Sequence, residues 1–331
     1  MSSPLAMEPR RLVVGSRRLG AIAGHLRRCP AAGESAAVAE AGTSGMRTSP
    51  LSERLGAYVD GVDLRRPLSP QQARAVYELL LRHRVLVFRR AHLSHADQQR
   101  FAYELSEASP HVGPPTLGHP VFGHVDGFPE IYSVHQSSDT RPLDVEEAQT
   151  RAEKRPWTGW HTDVSGCVNP PAIGILRAAR IPASCPGDTL FADMAAALER
   201  LDPETQEAIR GMAAVHRSTT ELEPWIGRSK TYAPFTDRQM ISRHPLVVAH
   251  PDTGERLLYC SPGLLDHFAD MPRIHDYDDP RVGQFPRESE VLRETLFGEA
   301  VRDAVSYTWS EGVSRTMIAG IWVAFFQECQ Q

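Results

Sequence analysis

Short runs rich in apolar residues alternate with polar or with glycine- and proline-rich connections through most of the chain after residue 50. Runs this short, bounded by turn residues, are typical of β-strands and not of helices. Such strands with irregular connections and interspersed helices predict a mainly β fold, a double-sheet jelly roll with helical additions. The predicted strands are 57–62, 85–88, 131–135, 172–176, 189–192, 213–216, 245–249 and 257–259.

Helix starts occur between these runs. Ser69 precedes a proline at the first helical position and Gln72 three residues on, which is the sequence of a capping box. Ser94 predicts the N-cap of a second helix that ends near Leu105. Two more helices are expected over 203–212 and 288–297, whereas 111–129 is expected to be loop because it is rich in glycine and proline.

Composition limits the partners and the compartment. The 331 residues are 41% apolar and 23% charged, the balance of an ordinary globular protein. A net charge of −5 with an isoelectric point near 6.3 argues against binding to nucleic acid or to a membrane surface. No apolar run approaches membrane-spanning length, and five scattered cysteines without a CxxC pair indicate a reducing compartment. We therefore expect small-molecule partners, no nucleic acid, no membrane and a cytoplasmic location.

The first 49 residues differ from the rest in composition. They are rich in arginine, with Glu8 as the only acid before Glu34, and then become rich in Ala, Gly, Ser and Glu. One interpretation is a mitochondrial transit peptide within residues 1–45, because such peptides are Arg-rich and poor in acids. The other is a disordered tail, or a start placed too early with Met46 as the working initiator.

A histidine and a carboxylate stand two residues apart in the run WTGWHTDV, residues 157–164. On a β-strand, positions i and i+2 point to the same face. His161 and Asp163 can therefore direct an imidazole nitrogen and a carboxylate oxygen to one point, while Thr162 faces away. Two such ligands and one further histidine make the 2-His-1-carboxylate triad that holds Fe(II). The alternative is that both are ordinary polar residues on the protein surface, which a three-residue pattern alone does not exclude.

Several sequence blocks, taken in order, carry a resemblance to a known family. They are LGAYVDGVDL at 55–64, RVLVFR at 84–89, HPVF at 119–122, WHTD at 160–163, NPPA at 169–172, GDTLF at 187–191, HPLVVAHPDTG at 244–254 and YTWSEG at 307–312. From about Pro50 to Gly312 the chain resembles the taurine dioxygenase-like (TauD/TfdA) family of Fe(II)- and 2-oxoglutarate-dependent dioxygenases. The order of the blocks is specific in a way that no single block is.

The resemblance implies a double-stranded β-helix, the cupin-like jelly roll. It also implies that the enzyme hydroxylates a small anionic organic substrate and releases succinate and CO₂. His161 and Asp163 are then ligands of Fe(II), and 2-oxoglutarate and O₂ are cosubstrates. Thr189 is expected to help hold the distal carboxylate of 2-oxoglutarate, and His119 to contact the anionic head of the substrate. From the residues alone, Thr189 can also be a plain β-branched strand residue and His119 a solvated loop residue. The sequence leaves open whether the protein forms a homo-oligomer.

The C-terminus departs from the family pattern after Gly312. The family continues into another ligand histidine and an arginine that pairs with 2-oxoglutarate, but residues 313–331 contain no histidine and only Arg315 as a cation. We therefore expect a divergent tail over 313–331, a C-terminally incomplete jelly roll with unpaired strand edges, and little or no turnover. The alternative is a catalytically inactive binding module of the same fold. Five earlier histidines are expected to be capping or surface residues and not replacement ligands: His216, His244, His250, His267 and His275.

Overall fold

The computed structural model describes residues 45–89, 91–115, 124–132, 160–178, 188–217, 241–272, 274, 284–308, 315–320 and 323–328. Several sheets and interspersed helices form within these residues, which confirms the predicted combination of β-structure with helices. None of the helices in these ranges is long and apolar enough to cross a membrane. The N-terminal segment 1–44 and His119 lie outside the described residues.

Two helices begin where the sequence predicts. The Ser69 hydroxyl accepts a hydrogen bond from the Gln72 backbone N–H at 3.2 Å, and the Gln72 side chain accepts one from the Ser69 backbone N–H at 2.9 Å. Ser94 and Asp97 form the same reciprocal pair. Such capping boxes satisfy N–H groups that have no partner inside the first turn. The described helices are α1 (Pro70–His83), α2 (His95–Ser106), α3 (Met194–Arg200), α4 (Pro203–Ala208) and α5 (Arg287–Val301).

Helices α3 and α4 differ from the expectation. Helix α4 ends at Ala208 and does not continue through Met212, and Gly211 then adopts a φ of +80°, a left-handed conformation that helical geometry does not allow. Helix α3 is not among the predicted helices. Its N-cap is Asp193, whose carboxylate accepts hydrogen bonds from two backbone N–H groups at 3.0 Å each.

Most neighbouring strands in the described residues pair antiparallel, and β1 pairs with β2 from Arg47 onward, slightly before the expected domain start at residue 50. The strands are β1 (Arg47–Pro50), β2 (Ala57–Asp60), β3 (Val85–Arg89), β4 (His124–Val125), β5 (Phe128–Tyr132), β6 (Ile173–Arg177), β7 (Asp188–Asp193), β8 (Ala213–Arg217), β9 (Ile241–Pro245), β10 (Val247–Ala249), β11 (Arg256–Leu258), β12 (Leu265–Phe268), β13 (Val305–Thr308), β14 (Arg315–Gly320) and β15 (Val323–Glu328). Their sheet orders are β1-β2-β3-β14-β6, β12-β8-β9, β13-β7-β15, β10-β11 and β4-β5.

Strand β3 lies at the centre of the largest sheet, between β2, to which it is parallel, and β14. Residues 85–88 are all buried, with 2% exposure or less. Leu86 and Phe88 face the larger apolar cluster, which includes residues of α1 and α2, whereas Val85 and Val87 face a smaller cluster around Tyr307. Because both faces are covered over residues 85–88, these four positions are all apolar and do not alternate.

The last described strands complete two sheets. Strand β14 pairs along its length with both β3 and β6, so that Ile318 lies opposite Leu86 on one side and Ile175 on the other. Strand β15 pairs with all six positions of β7. The expectation of unpaired edges left by missing C-terminal strands is therefore wrong for residues 315–320 and 323–328, because the segment treated as a divergent tail supplies the pairing partners. Residues 315–320 and 323–328 are thus paired strands of the described fold.

Candidate active site

His161 and Asp163 lie side by side on a partly open face. His161 Nε2 is 3.4 Å from Asp163 Oδ1, and the two side chains are 28% and 36% exposed. Trp160 and Thr162, which alternate with them, are buried. The two side chains thus converge as their spacing predicts, while their role as metal ligands stays a prediction.

The backbone that carries this pair is not the regular strand that the sequence suggests. His161 makes a single isolated bridge, and the chain then turns over residues 163–166. Val164 adopts a φ of +54°, and the Cys167 N–H closes the turn by donating to Val164 O at 2.9 Å. A β-branched residue in the left-handed region costs roughly 1–3 kcal/mol, so the surrounding structure has to hold this turn in place.

Two backbone hydrogen bonds anchor the segment before the turn. The Gly263 N–H donates to Trp160 O at 2.8 Å, and the Thr162 N–H donates to Ser261 Oγ at 3.0 Å. Both bonds join the segment to the connection between β11 and β12. The direction in which His161 and Asp163 point is therefore set by tertiary contacts and not by a regular sheet ladder.

Ser242 and His244, both on β9, hold the turn itself. Ser242 Oγ lies 2.9 Å from Gly166 O and 2.8 Å from Cys167 O. His244 Nε2 lies 2.9 Å from Ser165 O and from Cys167 O. Since carbonyl oxygens only accept hydrogen bonds, we assign the proton of the neutral ring to Nε2. Neither role follows from the spacing of residues in the sequence.

Replacing Ser242 with alanine should lower the free energy of unfolding by about 1–2 kcal/mol, because the turn carbonyls lose a buried donor. Urea unfolding followed by circular dichroism measures this change. Ser289→Ala is the matched control, since Ser289 is also a buried serine but its hydroxyl has no hydrogen-bond partner among the described residues. Equal loss of stability in both variants would contradict the role given to Ser242.

The histidines considered as replacement ligands have other surroundings. His216 is fully buried against the rings of His244 and Tyr259, and burial together with the nearby His244 lowers its pKa to about 3. His250 Nδ1 accepts from two backbone N–H groups of its own turn, at 3.2 and 3.3 Å. His267 pairs with Asp266 at 2.7 Å. His275 lies outside the described residues. The described part of the chain contains no group of three His, Cys, Asp or Glu side chains that could hold a metal.

Tyr132 contacts the pair but is not among the residues that the sequence suggests. Its hydroxyl donates a hydrogen bond to Asp163 Oδ2 at 3.3 Å. Burial of the phenol, followed by the negative charge of Asp163, raises the pKa of Tyr132 well above its usual range. The phenol therefore stays protonated and remains a donor. No spacing rule connects these residues, because they are 31 positions apart.

The two remaining predicted site residues are placed differently. Thr189 is 1% exposed and lies on β7, where it pairs with Tyr307 of β13 and Gln327 of β15. It is therefore part of a sheet, as its β-branched side chain favours. His119 lies outside the described residues, so its predicted contact with the substrate stays a prediction.

Comparison with known proteins identifies the family. Residues 47–311 match the model of the taurine catabolism dioxygenase TauD, TfdA family. The chain belongs to the TauD/TfdA family. An alpha-ketoglutarate-dependent sulfate ester dioxygenase from Pseudomonas putida is 30% identical over 272 residues, which cover 80% of this chain and 78% of that protein. An alkylsulfatase from Acinetobacter baylyi is 28% identical over 281 residues, which cover 82% of this chain and 76% of that protein.

The fold of this TauD/TfdA chain agrees with that of a solved relative. The crystal structure of a taurine dioxygenase from Burkholderia xenovorans matches with a TM-score of 0.64 and 35% identity, and covers 86% of this chain and 83% of that one. The architecture is thus that of the TauD-type jelly roll. The chain is an oxidoreductase of the 2-oxoglutarate-dependent dioxygenase class, and membership of the family implies 2-oxoglutarate as cosubstrate and iron as the metal.

His161 and Asp163 fit two coordination positions of one metal ion. Two donor atoms that each lie about 2.1 Å from an ion are roughly 3 Å apart when they bind at a right angle. The observed separation of 3.4 Å is close to this value. An imidazole nitrogen and a carboxylate oxygen are also the donor types of the non-haem Fe(II) triad. Within the described residues, this TauD/TfdA site therefore offers two side chains of the donor types that such a triad needs, and their role as ligands stays a prediction.

Proposed function

We propose that this chain hydroxylates a small anionic organic substrate at an iron ion held by His161 and Asp163, with 2-oxoglutarate and O₂ as cosubstrates. The observation that carries the proposal is the 3.4 Å approach of His161 Nε2 to Asp163 Oδ1 on a face that solvent can reach. Family membership supplies the class of reaction, and this pair supplies the position of the metal. We further propose that turnover is low, because residues 313–331 contain neither the ligand histidine nor the 2-oxoglutarate-pairing arginine that the resembled family has there.

The residues of the chain bind and orient the reacting groups. When bound, the iron ion would let O₂ oxidise 2-oxoglutarate to succinate and CO₂ and the substrate C–H bond to a C–OH group, one oxygen atom going to each product. His161 and Asp163 hold the metal. Buried Trp160 and Thr162 fix the direction of the pair through their backbone bonds to Gly263 and Ser261.

We assign the organic molecules to two further residues. Thr189 helps to hold the distal carboxylate of 2-oxoglutarate, and His119 contacts the anionic head of the substrate. Support for both assignments is the match of their sequence blocks, GDTLF at 187–191 and HPVF at 119–122, to the family. An imidazolium or a neutral imidazole N–H suits an anionic head because both donate hydrogen bonds to it.

The substrate class follows from the relatives. The relatives from Pseudomonas putida and Acinetobacter baylyi are named as a sulfate ester dioxygenase and an alkylsulfatase. We therefore propose a short alkyl sulfate ester as the first substrate to test. Its head carries a single negative charge, which a site built from neutral or positively charged donors can bind.

A second candidate function is a binding module without turnover. The observation that favours it is the absence of a third metal-ligating side chain next to His161 and Asp163 among the described residues. Two protein ligands hold a divalent ion more weakly than three. In this second function the chain therefore binds its organic acids without an ion that supports turnover. The two functions differ in whether succinate is formed.

An anaerobic titration of the purified 331-residue chain with Fe(II) and 2-oxoglutarate, followed by an aerobic succinate assay, tests the proposal. We expect a saturable visible charge-transfer band that needs high Fe(II). We also expect succinate formation that depends on an alkyl sulfate and is at least about 100-fold slower than that of the Pseudomonas putida relative, because removing supporting or direct ligands weakens metal sites by such factors.

The outcomes separate the two functions. If the chain gives no band, and no more succinate than a His161→Ala variant, the dioxygenase proposal is overturned in favour of the binding module. Turnover equal to that of the relative would overturn the explanation of low activity, since it would require a third ligand from the residues that are not described.

A further inference from the structure

The two oxygens of the Asp163 carboxylate have different neighbours. Oδ2 accepts a hydrogen bond from the Tyr132 hydroxyl at 3.3 Å. Oδ1 lies 3.4 Å from His161 Nε2. A carboxylate can bind a metal through one oxygen or through both, and the choice changes the coordination number of the ion. The asymmetry around Asp163 therefore bears on how this residue would bind a metal.

The fold brings Tyr132 to Asp163 through a small hairpin. Strands β4 and β5 pair antiparallel, with Tyr132 opposite His124, and Gly127 adopts a φ of +78° in the turn between them. The part of this hairpin up to residue 129 lies in the segment 111–129 that the sequence suggests is loop, whereas Ile131 and Tyr132 lie in the predicted strand 131–135. Glycine suits this turn position, because it adopts a positive φ without the steric penalty of a Cβ atom.

Helix α2 fixes the hairpin. Glu130, two residues before Tyr132, accepts hydrogen bonds from Gln99 Nε2 and from the Tyr103 hydroxyl, each at 2.8 Å. The ring of His95 lies 5.4 Å from that of Phe128. These contacts tie β5 to a helix whose capping box and buried residues hold it on the core, so Tyr132 is carried by a supported element.

We propose that Tyr132 is a positioning residue for the metal ligand Asp163: its hydroxyl holds Oδ2, so that Oδ1 is the oxygen directed with His161 Nε2 toward the metal. This role rests on the proposed function, because it requires a metal at the pair. A donor on the outer oxygen of a ligating carboxylate fixes its orientation, and loss of such supporting contacts weakens metal binding about 10–100-fold.

Tyr132→Phe tests this role, since it removes the hydroxyl and keeps the ring. The probe is Co(II), which does not react with O₂ here and has visible absorption bands that report its coordination. Titrating the purified full chain should give a dissociation constant about 10–100-fold higher in Tyr132→Phe than in the wild type. The shape of the Co(II) bands should also change, because Oδ2 then becomes able to bind the ion.

Tyr77→Phe is the matched control. Tyr77 also donates to a carboxylate, Asp252 Oδ2, at 2.6 Å, but it lies on α1 and contacts the turn after β10. This variant loses the same kind of bond, so it should unfold at a lower urea concentration while its Co(II) affinity and spectrum stay those of the wild type.

The possible results distinguish failure of the positioning role of Tyr132 from failure of the metal site itself. Co(II) binding that depends on His161 but is unchanged in Tyr132→Phe would overturn the positioning role and leave the metal site standing. Equal weakening in Tyr132→Phe and Tyr77→Phe would assign the effect to general destabilisation and also overturn the role. If the wild type binds no Co(II), or if His161→Ala binds as well as the wild type, the proposed metal site itself fails.

Discussion

Replacing His161 with alanine is expected to abolish metal binding by this chain. His161 Nε2 and Asp163 Oδ1 are the two donors that converge, 3.4 Å apart, and removing the imidazole leaves one carboxylate oxygen for the ion. We expect the affinity for Fe(II) or Co(II) to fall by more than about 100-fold, beyond the 10–100-fold range of residues that only support a ligand. Metal stoichiometry after anaerobic dialysis, measured by atomic emission, reports the loss.

The matched control for this variant is His267→Ala. His267 also lies beside a carboxylate, with Nδ1 2.7 Å from Asp266 Oδ2, and it is similarly exposed. This variant should keep the wild-type stoichiometry, because the pair it breaks lies on β12 and not at the candidate site. Unchanged iron content in His161→Ala would remove His161 from the metal site, and equal loss in both variants would show that any such pair on this chain binds metal.

Ile318→Ala is expected to lower the free energy of unfolding by about 2–5 kcal/mol, the cost of removing a large aliphatic side chain from a core. Ile318 is fully buried in the larger apolar cluster. It also lies on β14, which joins the central strand β3 to the edge strand β6 of the five-stranded sheet. Urea unfolding followed by tryptophan fluorescence, with the slope compared between variants, measures this effect.

The control for the core substitution is Ile241→Ala, the same change on β9 at a side chain that is 49% exposed. We expect it to change stability by no more than about 0.5 kcal/mol. If Ile318→Ala has as small an effect as the control, β14 does not lie in the core, and the interpretation of residues 313–331 as a divergent tail outside the fold is correct.

Features set by neighbouring residues were predictable from the sequence. The capping boxes at Ser69 and Ser94 and the apolar run of β3 depend on contacts within a few positions, or on burial of a whole segment, and both leave a clear pattern. Helix α3 also has a local signal, since Asp193 precedes an alanine-rich run. The pairing of the C-terminal strands had no local signal in the sequence, because an apolar segment such as 315–320 does not specify the strands between which it will lie.

The candidate site also combines features that the sequence predicted with features that only the tertiary structure shows. The sequence by itself identified the pair His161 and Asp163, from a spacing that can place two side chains on one face, and its ordered blocks identified the family. Only the tertiary structure decided what holds that pair: Tyr132 on Asp163, and Ser242 and His244 on the turn that follows. These contacts join residues 31 to 79 positions apart. Hydrogen bonds over such separations follow from how sheets and helices pack, and no local pattern of residues records them.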